Sequence, residues 1–328
     1  MSECPDFTHL LCLPRLRVQN ANAVSSPLTH GFPAMTAFLG LMWALERKAH
    51  AAGIEVFFNA VGVICHEHQE LITDTGFVKA FRLTRNPIDK TGKTAAIVEE
   101  GRMHVEISLL LGITAEHWRD TEREREETSA IAAILHSMRV AGGTLHPPEK
   151  PGLRRYRPWT IPQSGSDAAA VFKKARGRLL PGSALVLRED LIGKRQKALQ
   201  QSNPDCSRLE AWLSLSRFNW RYQEDDSGKG EWVNDRPKGS GWIVPIPIGY
   251  GALSELHPAG SVTNARDANT PFRFVESLYS VGEWLGPHRI QEAKQMLWYS
   301  ESDPESGAYR CRNDYRSQPD QVGQLSID

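Results

Sequence analysis

The sequence lacks the features that mark several common classes of protein. Its 328 residues include five cysteines, which are scattered and show no Cys-x-x-Cys spacing. This usage fits reduced thiols and argues against a disulfide framework or a zinc site. No apolar run is long enough to span a membrane and no signal peptide is visible, so we expect a cytoplasmic protein with no membrane partner.

Neither sign of charge predominates in the chain. Lys+Arg and Asp+Glu each number 39, which gives a formal net charge of zero. A protein that coats duplex DNA without sequence preference is usually basic overall. Any nucleic-acid site must therefore be a local basic patch, offset by acidic segments such as residues 122–127.

Signals for nucleotide or metal binding are weak. The Gly-Lys-Thr of residues 92–94 imitates the end of a P-loop, but the first glycine of that motif would fall at Pro87. His66 and His68 lie on one face of an extended segment, yet the sequence offers no third ligand at a spacing typical of a metal site. We therefore expect no metal, no cofactor and no nucleotide hydrolysis.

Residues 14–33 are the part of the sequence that most suggests a binding site. The stretch begins like a strand, in which Arg15, Arg17 and Gln19 alternate with apolar residues, and it ends where a helix begins. Between the two lies a nearly uncharged loop, whose amides suit base edges and whose hydroxyls suit phosphates and sugars. Its polar residues are Asn20, Asn22, Ser25, Ser26 and Thr29. A plain connector closed by Asx and Ser turns is the alternative.

The order of predicted elements favours an α+β fold. The patterns indicate a strand over residues 9–19, a helix over 34–50, strands over 54–65 and 77–83 as a hairpin, a strand over 104–111 and a helix over 115–139. This order begins a ferredoxin-like, RRM-type domain, here with large insertions in the form of a thumb-like hairpin or subdomain. RNA-binding versions use the open sheet face, although this sequence lacks RNP aromatic motifs.

The remainder of the chain predicts a peripheral region and a return to the core. Residues 146–167 and 222–241 suggest loops, 190–217 two helices, 242–248 an edge strand containing prolines, and 286–299 a closing helix. We divide the chain into a first part of an RRM-like core (1–145), inserted helices and basic loops (146–240), a part that completes the core (241–300) and a flexible tail (301–328).

Four blocks of the sequence resemble one known family, and they occur in the same order along the chain. They are residues 14–45 (PRLRVQNANAVSSPLTHGFPAMTAFLGLMWAL), 83–112 (LTRNPIDKTGKTAAIVEEGRMHVEISLLLG), 178–189 (RLLPGSALVLRE) and 241–285, which contains GWIVPIPIGYGALSEL and NARDANTPFRFVESLYSVGEWL. The family is the guide-capping subunit of the type I-F CRISPR surveillance complex, the second subunit of the Csy complex. At His30 this chain departs from the family, where a tryptophan is expected.

The resemblance implies a non-catalytic subunit that holds the 5′ handle of the CRISPR RNA and pairs with the large subunit of the complex. The further partners that it implies are the backbone subunit and, through the assembled complex, target DNA. Two alternatives remain at this point. One is a metal-independent endoribonuclease that processes CRISPR RNA, with a histidine as acid or base. The other is a scaffold that binds protein only.

Chemistry and position in these blocks together select the candidate RNA contacts. They are Arg15, Arg17, Gln19, Asn20, Asn22, Ser25, Ser26, Arg85, Asn86, Arg266, Arg273 and Phe274. A second set interleaves basic and aromatic residues and suits either RNA or a protein partner. Its members are Arg154, Arg155, Tyr156, Arg157, Trp159, Lys173, Lys174 and Arg176. A solvated surface is the alternative for both sets.

Overall fold

A computed structural model describes residues 3–85, 88, 91–94, 97–118, 120–148, 150, 152–163, 167–224, 228–236, 241–265 and 267–317. The helices are α1 (Met35–Ala51), α2 (Thr121–His136), α3 (Ala168–Ala175), α4 (Glu189–Gln200) and α5 (Arg208–Leu215). The strands are β1 (His9–Asn22), β2 (Val24–Ser26), β3 (Thr29–His30), β4 (Phe57–Glu70), β5 (Ile72–Asp74), β6 (Lys79–Phe81), β7 (Leu83–Arg85), β8 (Ile97–Glu99), β9 (Arg102–Thr114), β10 (Arg139–Val140), β11 (Gly143–His146), β12 (Trp159–Pro162), β13 (Ser183–Leu187), β14 (Trp220–Glu224), β15 (Gly230–Asn234), β16 (Trp242–Ala252), β17 (Val275–Leu285), β18 (Trp298–Asp303) and β19 (Ala308–Asn313).

One large antiparallel sheet organises these elements. Its strands lie in the order β10-β11-β1-β9-β4-β13-β17-β16-β19-β18, and β12 pairs with the first residues of β1. Because β18 also pairs with β4, through Trp298 and Val61, the strands from β4 to β18 close into a ring. The predicted α+β class is confirmed.

The first half of the chain runs β1, α1, β4, β9, α2, β11, and its four strands lie in the order β11-β1-β9-β4. Helix α1 buries Met35, Phe38, Leu39, Met42 and Leu45 against this sheet, as their three- and four-residue spacing predicts. Helix α2 adds two further buried side chains to the same core. Both helices therefore occupy one face, which is called the inner face below.

The outer face of these strands is covered over only part of their length. Leu10, Cys12 and Leu110 pack there against Trp159 of β12 and Phe172 of α3 in a second core. Strand β1 is consequently buried on both faces from Leu10 to Leu13, where the sequence suggests simple alternation. Beyond this point, from Arg15 onward, the outer face opens to solvent.

Several predicted boundaries in the first half are wrong. The loop predicted after residue 19 instead continues β1 to Asn22 and then forms the small hairpin β2-β3. The run over residues 77–83 pairs with β5 rather than with the strand at 54–65. The helix predicted over 115–139 spans only Thr121–His136, and Ala141 and Gly142, with φ of 47° and 78°, form the tight turn of β10-β11.

Predictions for the second half are confirmed for α4 and α5 and wrong in four places. The loop over 146–167 contains β12, and the loop over 222–241 contains the hairpin β14-β15. The closing helix over 286–299 is two 3₁₀ turns followed by β18, with Ile290, Ala293 and Met296 buried at steps of three. The tail expected from residue 301 forms β18 and β19 as far as Asn313.

Candidate nucleic-acid interface

A polar groove lies where the outer face of the sheet opens. Four neighbouring strands, β11, β1, β9 and β4, provide its floor, and it encloses about 320 Å³. The side chains that line it, called the sheet-face groove below, are Arg17, Gln19, Glu67, Gln69, His104, Glu106 and His146. Cross-strand register places them side by side, with Arg17 opposite both Glu106 and His146.

Hydrogen bonds fix part of the groove. A 2.7 Å contact joins His146 Nε2 to Gln19 Oε1, and the Asn20 N–H donates to His104 Nδ1 at 3.2 Å. The arrangement thus offers amides, imidazoles and one guanidinium on a single surface, all of which can pair with base edges or ribose hydroxyls. Glu67 and Glu106 disfavour phosphates on the floor, but they can accept hydrogen bonds from base amino groups.

Irregularities in β1 position these side chains. Arg15 and Asn20 have left-handed backbone with φ of 55° and 57°, and the pairing with β9 shifts register after Leu13 and again after Val18. Such bulges re-aim side chains at functional edges of sheets. No composition or periodicity signal in the sequence marks the two shifts.

Arg15 contacts the groove residue Glu106 and makes its other contacts within the protein as well. Its guanidinium lies 2.8 Å from Glu106 Oε1 and donates to the carbonyls of Leu180 and Pro181 at 3.2 and 3.4 Å. The Arg15 N–H also donates to Ser108 Oγ at 3.1 Å. The structure therefore places this predicted contact residue as a link between β1 and the segment before β13.

The polar turn, residues 22–30, satisfies most of its polar atoms locally. Asn22 exchanges hydrogen bonds with the backbone of Val24, at 2.8 and 3.1 Å. The hydroxyls of Ser25 and Ser26 lie 2.8 and 2.6 Å from Thr29 Oγ1, and Thr29 is buried. These contacts correspond to the Asx and Ser turns of the connector interpretation.

A basic patch lies beside the groove on the outer face. It consists of Arg154, Arg155, Arg157, Lys173, Lys174 and Arg178, carried by a 3₁₀ turn at Arg154–Tyr156, by α3 and by the turn that follows α3. Arg155 stacks over the Tyr156 ring at 4.7 Å, and Arg178 stacks over Trp159 at 4.5 Å. Arg176, by contrast, donates to the Ile290 carbonyl.

Two members of the patch, Arg154 and Arg178, lie close enough for their charges to interact. Burial lowers the pKa of Arg178, and the positive charge of Arg154 lowers that pKa further. The segment that carries Arg178 continues to Leu180 and Pro181, whose carbonyls accept from Arg15. Arg15 and the segment 178–181 therefore connect the basic patch to the sheet-face groove, and the patch and the groove together are called the strip below.

The remaining predicted RNA contacts lie elsewhere or outside the described residues. Asn86 and Arg266 are not among the described residues, and neither is the side chain of Arg85, which belongs to β7. Arg273 and Phe274 precede β17 in the second half of the sheet, where Phe274 is half exposed and contacts Phe272 edge-on at 5.0 Å. The fold thus divides the predicted set between two regions.

Sequence reasoning missed a second cavity, which lies between the two halves of the sheet. This junction cavity encloses about 300 Å³ and takes its walls from β3, α1, β4, β13, β16 and β17. Its ring-bearing and charged lining residues are His30, Phe32, His66, His68, Glu70, Trp242 and Trp284. One sequence signal was available: Trp242 begins a strand that contains two prolines and is typical of an edge, where a tryptophan is poorly covered.

Within the described ranges, no group of three or more His, Cys, Asp or Glu side chains is arranged to hold a metal ion. None of the helices in those ranges combines the length and the apolar character needed to cross a membrane.

Comparison with known proteins gives two concordant matches. The family described as CRISPR-associated protein (Cas_Csy2) matches residues 11–311. The chain is also similar to the CRISPR-associated protein Csy2 of Pseudomonas aeruginosa strain UCBPP-PA14. The two are 41% identical over 312 residues, which cover 92% of this chain and 94% of the relative.

Proposed function

The chain belongs to the Csy2 family of CRISPR-associated proteins, and from that premise we propose that it is a cytoplasmic, non-catalytic RNA-binding subunit of a type I-F CRISPR complex. It caps the 5′ handle of the CRISPR RNA. Its partners are the CRISPR RNA, the large subunit and the backbone subunit, and target DNA through the assembled complex.

The observation that carries the proposal is the strip, in which Arg15 links the basic patch to the sheet-face groove. Guanidinium and ammonium groups of the basic patch suit the phosphates of a strand, which dominate affinity without specifying sequence. The adjoining groove offers acceptors and donors to unpaired bases, and its carboxylates keep the backbone away from the floor. A single strand lying along the strip therefore finds phosphate contacts at one end and base contacts at the other.

We further infer that the first half is a ferredoxin-like, RRM-type unit. The strand order β11-β1-β9-β4, with α1 and α2 as the two crossovers, supports this assignment. RNA-binding members of that class use the sheet face opposite the helices. Here α3 and the 3₁₀ turns over residues 287–296 cover much of that face, so the sheet-face groove is the part that remains for RNA.

The absence of catalysis is supported by the positions of the candidate histidines. The most suggestive pair is His66 and Ser108, whose Nε2 and Oγ atoms lie 2.7 Å apart. Ser108 is only 1% exposed and also accepts from the Arg15 N–H, so a substrate has no access to its hydroxyl. His30 pairs instead with Glu70, at 2.9 Å, and is not part of the contact between His66 and Ser108.

Pairing with a protein subunit is favoured by a different surface. The β14-β15 hairpin and the residues before it expose aromatic rings, and Tyr222 and Trp232 contact one another at 5.7 Å. The exposed rings are Phe218, Trp220, Tyr222 and Trp232. A two-stranded hairpin is marginally stable alone, and Trp and Tyr concentrate at interface centres, so this arm suits a protein contact.

The RNA-binding proposal is tested by removing charge from the basic patch. The triple variant Arg154→Ala, Lys173→Ala, Lys174→Ala is titrated with single-stranded handle RNA at several salt concentrations. Because each lost phosphate contact on a single strand lowers the slope of log K against log salt by about 0.7, we expect a slope smaller by about 2.

The matched control removes three exposed charges from other faces, with Arg47→Ala, Lys48→Ala and Lys197→Ala. Both variants have the same net charge, so a nonspecific field effect would weaken binding equally in the two. Equal slopes for the patch variant and the control would refute the proposed path of the RNA.

A further inference from the structure

The junction cavity is a second concave site, and the path proposed for RNA along the strip does not include it. Its aromatic wall is a chain of rings: Phe32 meets Trp284 edge-on at 4.9 Å, and Trp284 lies 6.2 Å from Trp242. His68 also lies 6.3 Å from Trp242. Trp242 is nevertheless 55% exposed, so much of this lining residue remains uncovered.

Polar groups converge on the same space. Glu70 reaches it from the end of β4 and lies 2.9 Å from His30 Nδ1, which leaves its carboxylate with capacity for further donors. His66 and His68 add ring nitrogens, and Ser25 of the polar turn contributes to the rim. A cavity lined by rings with a few convergent polar groups is the usual form of a small-molecule site.

The N-terminus of α1 forms one more part of the wall. Pro33, Ala34 and Met35 line the cavity, and no side chain caps the first turn of this 17-residue helix. The positive end of the helix dipole therefore lies beside the ring wall, where it favours an anion such as a phosphate. A ring site next to an anion-favouring site matches the chemistry of a nucleotide.

We propose that the junction cavity holds one unstacked base of the bound RNA, with its ring against Trp242 and its amino group donating to Glu70. A volume of about 300 Å³ is at the lower end for ligand pockets, which run to roughly 1,000 Å³. That room suits a single ring system rather than two stacked bases. Adenine, cytosine and guanine carry the required amino group, and uracil does not.

A protein side chain is the less suitable occupant. An apolar side chain from a partner would cover Glu70 and the imidazoles without pairing them, and a buried polar group without a partner is costly. A base satisfies these groups with its edge while its face covers the indole.

The inference rests on the proposed RNA-binding function and is tested with the full-length chain. The probe is a single-stranded handle RNA in which 2-aminopurine, a fluorescent base with an amino group, replaces one base at a time. In the wild-type protein we expect the emission of one position to be quenched by stacking on Trp242. Trp242→Ala should restore that emission and weaken binding about 5- to 100-fold, the effect of losing one stacked base.

Three further variants separate a base contact from a general disturbance of the protein. Trp43→Ala removes a partly exposed indole, 38%, from α1 outside the junction cavity and should change neither readout. Trp242→Phe keeps an aromatic face and should retain part of the quenching. Glu70→Gln should reduce the preference for an amino-bearing base over uracil at that position, and circular dichroism confirms that each variant is folded.

The possible failures are distinguishable. Wild-type protein that binds no handle RNA refutes the proposed function and this inference together. RNA binding that is normal in Trp242→Ala, with equal emission at all positions, overturns the inference alone. If Trp242→Ala keeps RNA binding but releases the large subunit, a protein side chain occupies the cavity and the inference is likewise wrong.

Discussion

The polar turn and the sheet-face groove are built from similar residue types but use them differently. In the turn, Asn22, Ser25 and Ser26 direct their hydrogen bonds to atoms within a few residues of themselves. In the groove, Gln19 pairs with His146, which is 127 residues away in sequence, across neighbouring strands. Polar side chains in a short turn find backbone partners, whereas those on a strand stand away from their own backbone.

Polarity alone is therefore a poor guide to a binding surface. The same amide or hydroxyl stabilises the fold when local geometry satisfies it, and it meets a ligand when the fold holds it on an open face. We therefore expect substitutions in the turn to lower the stability of the protein and substitutions in the groove to weaken RNA binding.

The largest effect is expected in the turn. Thr29→Val removes the buried hydroxyl on which Ser25 and Ser26 converge, and it should lower the free energy of unfolding by about 1–2 kcal/mol. Handle affinity should change less than about twofold, a difference of under 0.5 kcal/mol. Urea unfolding and RNA titration measure the two quantities.

Thr73→Val is the control for this variant, since Thr73 is an exposed threonine of β5 and its substitution should alter stability by less than about 0.5 kcal/mol. If Thr29→Val left stability unchanged but abolished RNA binding, the turn would be a binding surface and the expectation would be wrong.

A smaller effect is expected in the groove. Arg17→Ala should weaken handle binding about fivefold, or about 1 kcal/mol, because it removes the guanidinium at the centre of the four-strand floor. Stability should stay within about 0.5 kcal/mol. Arg221→Ala, at an exposed arginine of β14, is the matched control, and equal affinities of the two variants would count against the groove.

The smallest effect concerns His66, which contacts Ser108 and the Pro181 carbonyl beside the groove. Burial lowers its pKa below the ordinary 6.5, and the nearby Arg15 lowers it too, against the opposing effect of the Pro181 carbonyl. As pH falls through 6.5 the unfolded chain therefore takes up a proton that the folded protein does not. Stability is fully present above pH 6.5 and declines below it, until the folded form also protonates.

His66→Gln removes this titration and should make the loss of stability between pH 6.5 and acid shallower. His9 retains its own contribution, because burial also lowers its pKa. Thermal unfolding across this pH range measures the slope, and a variant whose acid sensitivity equals that of the wild type would show that His66 is not responsible.

Local patterns predicted the elements whose stabilisation is local. Helix α1 follows from its apolar stripe, and α4 and α5 follow from the Asn203-Pro204 break between them. The segment over residues 286–299 was misassigned because buried residues at steps of three suit a 3₁₀ turn as well as a helix. Trp298, which is fully buried and donates from Nε1 to the Leu185 carbonyl, begins β18 instead.

Some residues of the candidate sites follow from local patterns in the sequence, and others depend on the tertiary fold. Arg17 and Gln19 were predicted from strand alternation, and the fold places both in the groove. Glu67, Gln69, His104 and His146 were not, since their role depends on strand order and on two register shifts in β1. Trp242 and Glu70 line one cavity only because β4 and β16 both face it.

The sequence by itself determined the α+β class, the apolar stripe of α1 and the residue types available for binding, because these depend on spacing within one element. Only the tertiary structure decided which polar groups close on their own backbone and which face solvent, and which rings line a shared cavity. Those outcomes depend on pairing between strands that are far apart in the chain, and local composition carries no record of that pairing.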